Sequence, residues 1–176
     1  TFSRFDAHMG VANATIRNST LGHQGINAIG SGTFIVENST IRGNNLINLR
    51  SDYGSTWEGE FIIRDCVFVP RGVKSGSVNL IGGSNSGQHD FGYTCYMPEK
   101  ITIENLKIED AGHPETYKGP AIFANFNKER TDETHVEKYP FVITKEVILR
   151  NVTTESGKTV RVSDNSFMFK DVTVNR

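Results

Sequence analysis

A short pattern that occurs six times in the 176-residue chain constrains its fold more than any other feature. Each copy reads apolar, any, apolar, charged, Asn or Asp, any, any, and usually apolar. The copies cover residues 14–21, 34–41, 61–68, 101–108, 147–154 and 167–174. Alternating apolar and polar residues are typical of strands with one buried face, and repetition at a short spacing is typical of stacked units. The pattern therefore predicts an all-β solenoid whose parallel strands stack in about six rungs.

The Asn or Asp at the fifth position of each copy is interpreted as a structural ladder. Where a stacked coil bends, backbone groups leave the sheet and need other hydrogen-bond partners, and Asn supplies them while tolerating bent backbone angles. The predicted ladder consists of Asn18, Asn38, Asp65, Asn105, Asn151 and Asp171. A row of calcium ligands is the alternative, but recurrence in every copy favours the structural interpretation.

A second apolar stretch follows most copies, at residues 26–29, 47–49, 78–81 and 124–126, with a weaker one at 160–162. We expect each rung to contain two strands, within one domain that spans residues 1–176. The first copy begins at residue 14 and the last ends at residue 174, without the polar capping units that solenoids need. We therefore expect a fragment or middle segment of a longer chain, or ends that stack on other domains.

Composition and spacing exclude several classes of function. The 19 Lys and Arg residues balance 20 Asp and Glu residues, so no net charge predicts nucleic-acid binding. No apolar run approaches the roughly 18 residues of a membrane span. The His and acidic residues lack the ligand spacing of a metal site, so neither metal nor cofactor is predicted. Cys66 and Cys95 allow a disulfide, but buried free thiols are favoured.

Long insertions interrupt the repeat between residues 50–59, 82–100 and 127–146. Because stacked strands lie about 4.8 Å apart, we expect these loops to crowd one edge and form the walls of a groove. Carboxylates on neighbouring rungs would lie about 5 Å apart, and those two rungs apart about 9–10 Å. These distances bracket the separations that retaining and inverting glycoside hydrolases use.

The insertions and the N-terminal segment combine carboxylates, histidines, arginines and aromatic rings, as sugar-binding grooves do. The candidate catalytic residues are Asp52, Asp90, Glu58 and His89. The candidate substrate-binding residues are Arg4, Asp6, His8, Arg50, Tyr53, Trp57 and Tyr93. Two other interpretations stay open: the Arg-x-Asp pairs form ion pairs that fix loop ends, and the aromatic rings pack over the ends of the coil.

Four segments, 4–8, 26–29, 49–54 and 82–92, together with the repeat, resemble the pectate-lyase-like β-helices of bacteriophage tail spikes. More narrowly, the chain resembles the pre-neck appendage proteins of phages that infect Gram-positive bacteria. This resemblance implies a right-handed, single-stranded parallel β-helix with long loops on one edge, assembled as a homotrimer on the virion. It also implies contact, outside the bacterial cell, with a cell-wall glycopolymer such as teichoic acid or polysaccharide. The chain would be a depolymerase, a receptor-binding module without chemistry, or a structural segment of a trimeric spike.

Overall fold

The computed structural model describes residues 1–8, 10–50, 56–84, 93–126 and 140–176, and this part of the chain is all-β. It contains one 3₁₀ helix, Val73–Ser75, and no α-helix among the described residues. The strands are β1 (Phe2–Asp6), β2 (Val11–Arg17), β3 (Thr20–Ala28), β4 (Gly30–Glu37), β5 (Thr40–Gly43), β6 (Asn45–Leu49), β7 (Trp57–Pro70), β8 (Asn79–Gly82), β9 (Cys95–Tyr96), β10 (Lys100–Ile108), β11 (Ala121–Phe123), β12 (Phe141–Val142), β13 (Glu146–Thr154) and β14 (Thr173–Asn175).

Twelve of these strands form one parallel sheet that curls into a half-barrel. Its main path runs β11-β8-β6-β3-β5-β7-β10-β13-β14, while β1 pairs with β3 and β4 lies between β2 and β7. The short strands β9 and β12 form a separate parallel pair. Every pairing between described strands is parallel. The parallel all-β architecture that the repeat predicts is therefore confirmed.

The first five copies of the repeat pair with one another at equivalent positions. They lie on β2, β4, β7, β10 and β13, which are neighbours in that order. The apolar residue two before the ladder position is buried in every one of them and forms an unbroken column: Ile16, Val36, Ile63, Ile103 and Leu149. The alternation thus specifies both the buried face and the register, because a one-residue slip would expose the whole column.

The ladder prediction is confirmed for these five copies. Their Asn and Asp residues all have a left-handed backbone, with φ values between 46° and 54°. The side-chain amides of Asn38, Asn105 and Asn151 donate to the preceding ladder residue's oxygen at 2.7, 2.8 and 2.9 Å. Asn and Asp adopt this conformation more readily than other side chains, so the ladder position marks where each strand bends.

The charged residue just before each ladder position alternates in sign along the same five strands. The column reads Arg17, Glu37, Arg64, Glu104 and Arg150, and neighbours are paired in register. Ion pairs join Glu37 to both of its arginines, at 3.6 Å from Arg17 and 2.6 Å from Arg64, and Arg150 also pairs with Glu104. Exposed pairs add little stability each, but a shifted register would separate these opposite charges.

The sixth copy does not continue the stack, so the prediction that Asp171 extends the ladder is wrong. Residues 166–171 form turns, and β14 instead pairs Thr173 with Glu146. In the repeat register Lys170 would lie beside Arg150, where the alternation requires an acidic residue. Phe169 packs instead against Phe123, with parallel rings 4.4 Å apart.

The second strands agree with the prediction in the first half of the chain and depart from it later. Residues 26–28 and 47–49 lie in β3 and β6 and are paired in register. The predicted strand at 124–126 is wrong, because β11 ends at Phe123, and residues 160–162 contribute one isolated bridge. The predicted loop at 50–59 is wrong from Trp57 onward, where β7 has already begun.

Candidate functional site

Seven of the eleven predicted site residues lie in the described part of the chain. Predictions on Asp52, Tyr53, His89 and Asp90 fall outside the described residues and stay predictions. Of the remaining residues, three form an ion cluster, one belongs to the core, and two line one depression. His8 is exposed at the end of the segment that follows β1.

Arg4, Asp6 and Arg50 form one ion cluster at the end of β1. The carboxylate of Asp6 pairs with Arg50 at 2.6 Å and with Arg4 at 3.3 Å. The main-chain N–H of Arg50 also donates to the Ala28 carbonyl at 3.0 Å. These contacts support the interpretation of ion pairs that fix the ends of segments, with Asp6 shared by two guanidinium groups.

Trp57 belongs to the core, and the prediction that it stacks on a sugar ring is wrong. Its side chain is fully buried, its indole N–H donates to the Gly32 carbonyl at 2.9 Å, and its ring contacts Phe34 and Phe61. The opposite residue on β4 is Gly30, where a Cβ would lie 3.0 Å from the indole. A glycine opposite the indole therefore makes room for the ring inside the sheet.

Glu58 and Tyr93 line a shallow depression of about 490 Å³ beside the first residues of β7. Tyr96 and Thr56 also line it, and the Tyr96 N–H donates to the Thr56 hydroxyl oxygen at 3.1 Å. The tyrosine rings are accessible, with exposed fractions of 59% for Tyr93 and 37% for Tyr96. This combination offers flat apolar rings for the face of a sugar and a carboxylate for its hydroxyls.

A second depression of about 230 Å³ shares Glu58 and Tyr96 and continues the surface toward Glu99 and Lys145. The Lys145 ammonium donates to the Glu99 carboxylate at 2.7 Å and lowers the pKa of Glu99 below its ordinary value. Glu99 is fixed in place because its N–H donates to the Gly59 carbonyl at 2.7 Å. We call the surface formed by Glu58, Tyr93, Tyr96, Glu99 and Lys145 the tyrosine–carboxylate strip.

Sequence reasoning found Glu58 and Tyr93 but did not select Tyr96, Glu99 or Lys145 as site residues. Tyr96 reaches the strip because β9 pairs with β12, and strands of two residues carry no periodic signal. The strip also adjoins the predicted loop residues along the chain, since residues 51–55 lead into Thr56 and residues 85–92 lead into Tyr93.

Among the residues that the structure describes, no group of three or more His, Cys, Asp or Glu side chains is arranged to hold a metal ion. No helix in this part of the chain is long and apolar enough to cross a membrane. Cys66 and Cys95 are both buried and form no disulfide, which leaves the disulfide alternative without support. Burial raises the pKa of the Cys66 thiol above its ordinary value.

Comparisons of this chain with protein-family models, with curated proteins and with solved structures gave no match. Its function therefore has to be argued from the surfaces that the fold creates. Of those, the tyrosine–carboxylate strip combines predicted site residues with accessible aromatic rings.

Proposed function

We propose that the chain is a right-handed parallel β-helix segment of a phage adsorption appendage that binds, and cuts, a host cell-surface glycopolymer. Parallel in-register pairing at chain separations of 20, 27, 40 and 46 residues supports the β-helix. A second wall supports it as well, because β3, β6, β8 and β11 follow one another and are paired in the same way. The resemblance to tail spikes and pre-neck appendages supplies the biological setting of this proposal.

The observation that carries the proposal is the accessible pair of tyrosines beside a carboxylate. Phe2 and Phe167 are also exposed among the described residues, but Tyr93 and Tyr96 line the same depression as Glu58, and Tyr93 presents the most exposed tyrosine ring described here. Sugar rings stack on such surfaces through their apolar faces, while carboxylates accept hydrogen bonds from their hydroxyls. A glycopolymer therefore fits the chemistry of the strip.

Cleavage requires two carboxyl groups, one of which donates a proton to the leaving oxygen. Of the predicted catalytic residues, Glu58 is the one in the described part of the chain, and its side chain lines the strip. Glu99 does not suit the proton donor, because Lys145 keeps its carboxylate ionised. In this proposal Glu58 therefore works with Asp52 or Asp90, and His89 assists.

The first test is retention of the purified protein on cell walls and on isolated wall glycopolymers from Gram-positive bacteria. Tyr93→Ala and Tyr96→Ala should each weaken retention by about 2- to 13-fold, which corresponds to the roughly 0.5–1.5 kcal/mol of an aromatic contact. Phe167→Ala is the control, because Phe167 is 40% exposed and lies in the C-terminal turn. Equal retention of all three variants and the parent protein would remove the strip from the binding site.

The second test separates an enzyme from a binding module by measuring release of reducing ends or phosphate. Glu58→Gln should abolish release while retention persists, and so should either Asp52→Asn or Asp90→Asn, which identifies the second carboxyl group. Retention without any release by the parent protein would favour the alternative, a non-catalytic receptor-binding segment. A particle mass that is not three times that of one chain, measured by light scattering, would contradict the homotrimer that we include in the proposal.

A further inference from the structure

A second concave surface, outside the strip, lies on the outer face of β3 and β6. This amide–arginine pocket has a volume of about 360 Å³ and is lined by Arg4, Gln24, Asn27, Asn45, Asn48 and Arg71, among others. No carboxylate belongs to its described lining, although two guanidinium groups do. The pocket is therefore polar, rich in amides and positively charged.

Three of the asparagine side chains that line the pocket are held in one hydrogen-bonded chain. The Asn45 amide donates to the Asn48 oxygen at 3.4 Å, and the Asn48 amide donates to the Asn27 oxygen at 3.1 Å. The Asn45 side chain packs on Gly82, where a Cβ would lie only 2.0 Å from its nitrogen. Because each hydrogen bond in the chain runs from Asn45 through Asn48 to Asn27, the Asn27 N–H groups remain at one end and the Asn45 side-chain oxygen at the other. A ligand therefore meets both donors and an acceptor.

Arg71 supplies positive charge that no acidic residue in the described part of the chain neutralises by an ion pair. Its side chain is exposed, and its guanidinium donates to the main-chain carbonyl of His23 at 3.3 Å, which orients the group without cancelling its charge. Arg4 differs, because it pairs with Asp6 and donates to Gln24 at 2.7 Å. A planar guanidinium beside fixed amides is well suited to a phosphate or carboxylate group.

We propose that the amide–arginine pocket binds an oxyanion, phosphate or carboxylate, on a hydroxyl-rich chain. Arg71 holds the anionic group, and Asn27, Asn45 and Asn48 bond the neighbouring hydroxyls. This inference rests on the proposed function only for the source of the ligand, an acidic glycopolymer, and would make that polymer span two surfaces of the fold.

The test uses small probes that reach the pocket without needing the strip. The protein, labelled with nitrogen-15, is titrated with three probes: oligomers of glycerol phosphate, oligogalacturonate and neutral dextran oligomers. NMR follows the side-chain amide signals of Asn27, Asn45 and Asn48. One or both acidic probes should shift these signals, which identifies phosphate or carboxylate as the preferred group. Dextran should leave them unchanged, and added salt should weaken the acidic probes.

Substitution of Arg71 gives the decisive comparison. Arg71→Ala should lower the affinity for the acidic probe by about tenfold or more, the loss typical of one charged hydrogen bond. Arg71→Lys should retain part of the affinity, because it keeps the charge but loses the planar fork. Arg42→Ala is the matched control, since Arg42 is an exposed arginine on the neighbouring strand β5 that does not line the pocket.

The outcomes distinguish this pocket from the proposed function. Probe binding that Arg71→Ala weakens, without retention of wall polymers by the protein, supports the pocket and defeats the proposed function. Equal affinities for Arg71→Ala and Arg42→Ala, or no shift of the three amide signals by either acidic probe, overturn the pocket. Continued retention of wall polymers in that case leaves the strip as the binding surface.

Discussion

Substitution of Asn105, at the middle of the ladder, tests whether the ladder enforces a left-handed backbone. Asn105 has a φ of 52°, donates to Asp65 at 2.8 Å and accepts from Asn151 at 2.9 Å. Asn105→Ala and Asn105→Gly both remove these two side-chain hydrogen bonds. Any difference between the two variants therefore comes from the backbone.

The stability difference between a Gly and an Ala variant should have opposite signs at an ordinary strand position and at position 105. In an ordinary strand, Gly is less stable than Ala by about 0.5–1 kcal/mol, because the unfolded chain has more freedom. A left-handed residue with a Cβ costs about 1–2 kcal/mol. At position 105 we therefore expect Asn105→Gly to be more stable than Asn105→Ala by about 0.5–1 kcal/mol. Including the lost hydrogen bonds, Asn105→Ala should lose about 2–3 kcal/mol relative to the parent protein.

Urea denaturation followed by circular dichroism measures these differences. With a slope of about 1–3 kcal/mol per molar urea, the midpoint of Asn105→Gly should exceed that of Asn105→Ala by roughly 0.2–1 M. Arg42 provides the control, because it is an exposed strand residue without a positive φ, and there the Ala variant should be the more stable one. An Ala variant at position 105 as stable as the Gly variant would refute the argument from left-handed geometry.

Three further predictions concern buried groups. Trp57 is the sole tryptophan and is fully buried, so its fluorescence should be blue-shifted and insensitive to iodide. Quenching by iodide would contradict its burial. Trp57→Ala should lower the unfolding free energy by about 3–5 kcal/mol in denaturation experiments. The neutral hydroxyl of Tyr117 donates to buried Asp110 at 2.8 Å. Burial is the larger cause, and this hydrogen bond the second cause, that raises the pKa of Tyr117 above its ordinary value of 10.0. The stabilisation by neutral Tyr117 is present below pH 10 and is lost as the pH rises above 10. In the parent protein the unfolding free energy should therefore fall with pH above pH 10, and Tyr117→Phe should make that fall less steep. Equal slopes of unfolding free energy against pH in the two proteins would refute this. Cys66 and Cys95 are buried thiols that form no disulfide, so a thiol reagent should label neither quickly in the native protein and both in urea. Fewer than two labelled thiols in urea would indicate a disulfide.

The repeat was sufficient to predict the parallel sheet because each copy specifies several columns at once. An apolar column, a ladder column and a charged column all agree on one register for β2, β4, β7, β10 and β13. The same alternation also explains why Trp57 is buried. It lies two residues before Gly59 and four before Phe61, and these residues face the same side of β7. Extending that phase backward from Phe61 would have identified the ring as interior.

The proposed binding surfaces were less accessible to sequence reasoning, because they depend on contacts between segments far apart in the sequence. Tyr96 is held by a strand pair of two residues each, formed between two different insertions. Asn27, Asn48 and Arg71 come together because strands far apart in the sequence are neighbours in the sheet. Neither set has a spacing that distinguishes it from ordinary polar surface residues.

The sixth copy shows that similarity to the repeat does not by itself place a strand in the stack. It carries the apolar and ladder residues, but Lys170 would follow Arg150 in a column that otherwise alternates in sign. Such an exposed contact between like charges is small, and the stacked contact of Phe169 with Phe123 adds about 0.5–1.5 kcal/mol beyond the burial that the apolar column would also provide. The copy therefore closes over the core as a turn, and only Thr173–Asn175 pair with β13. The five stacked copies are those in which the apolar, ladder and charged columns all agree, whereas the sixth copy disagrees in the charged column and has an apolar alternative in Phe123.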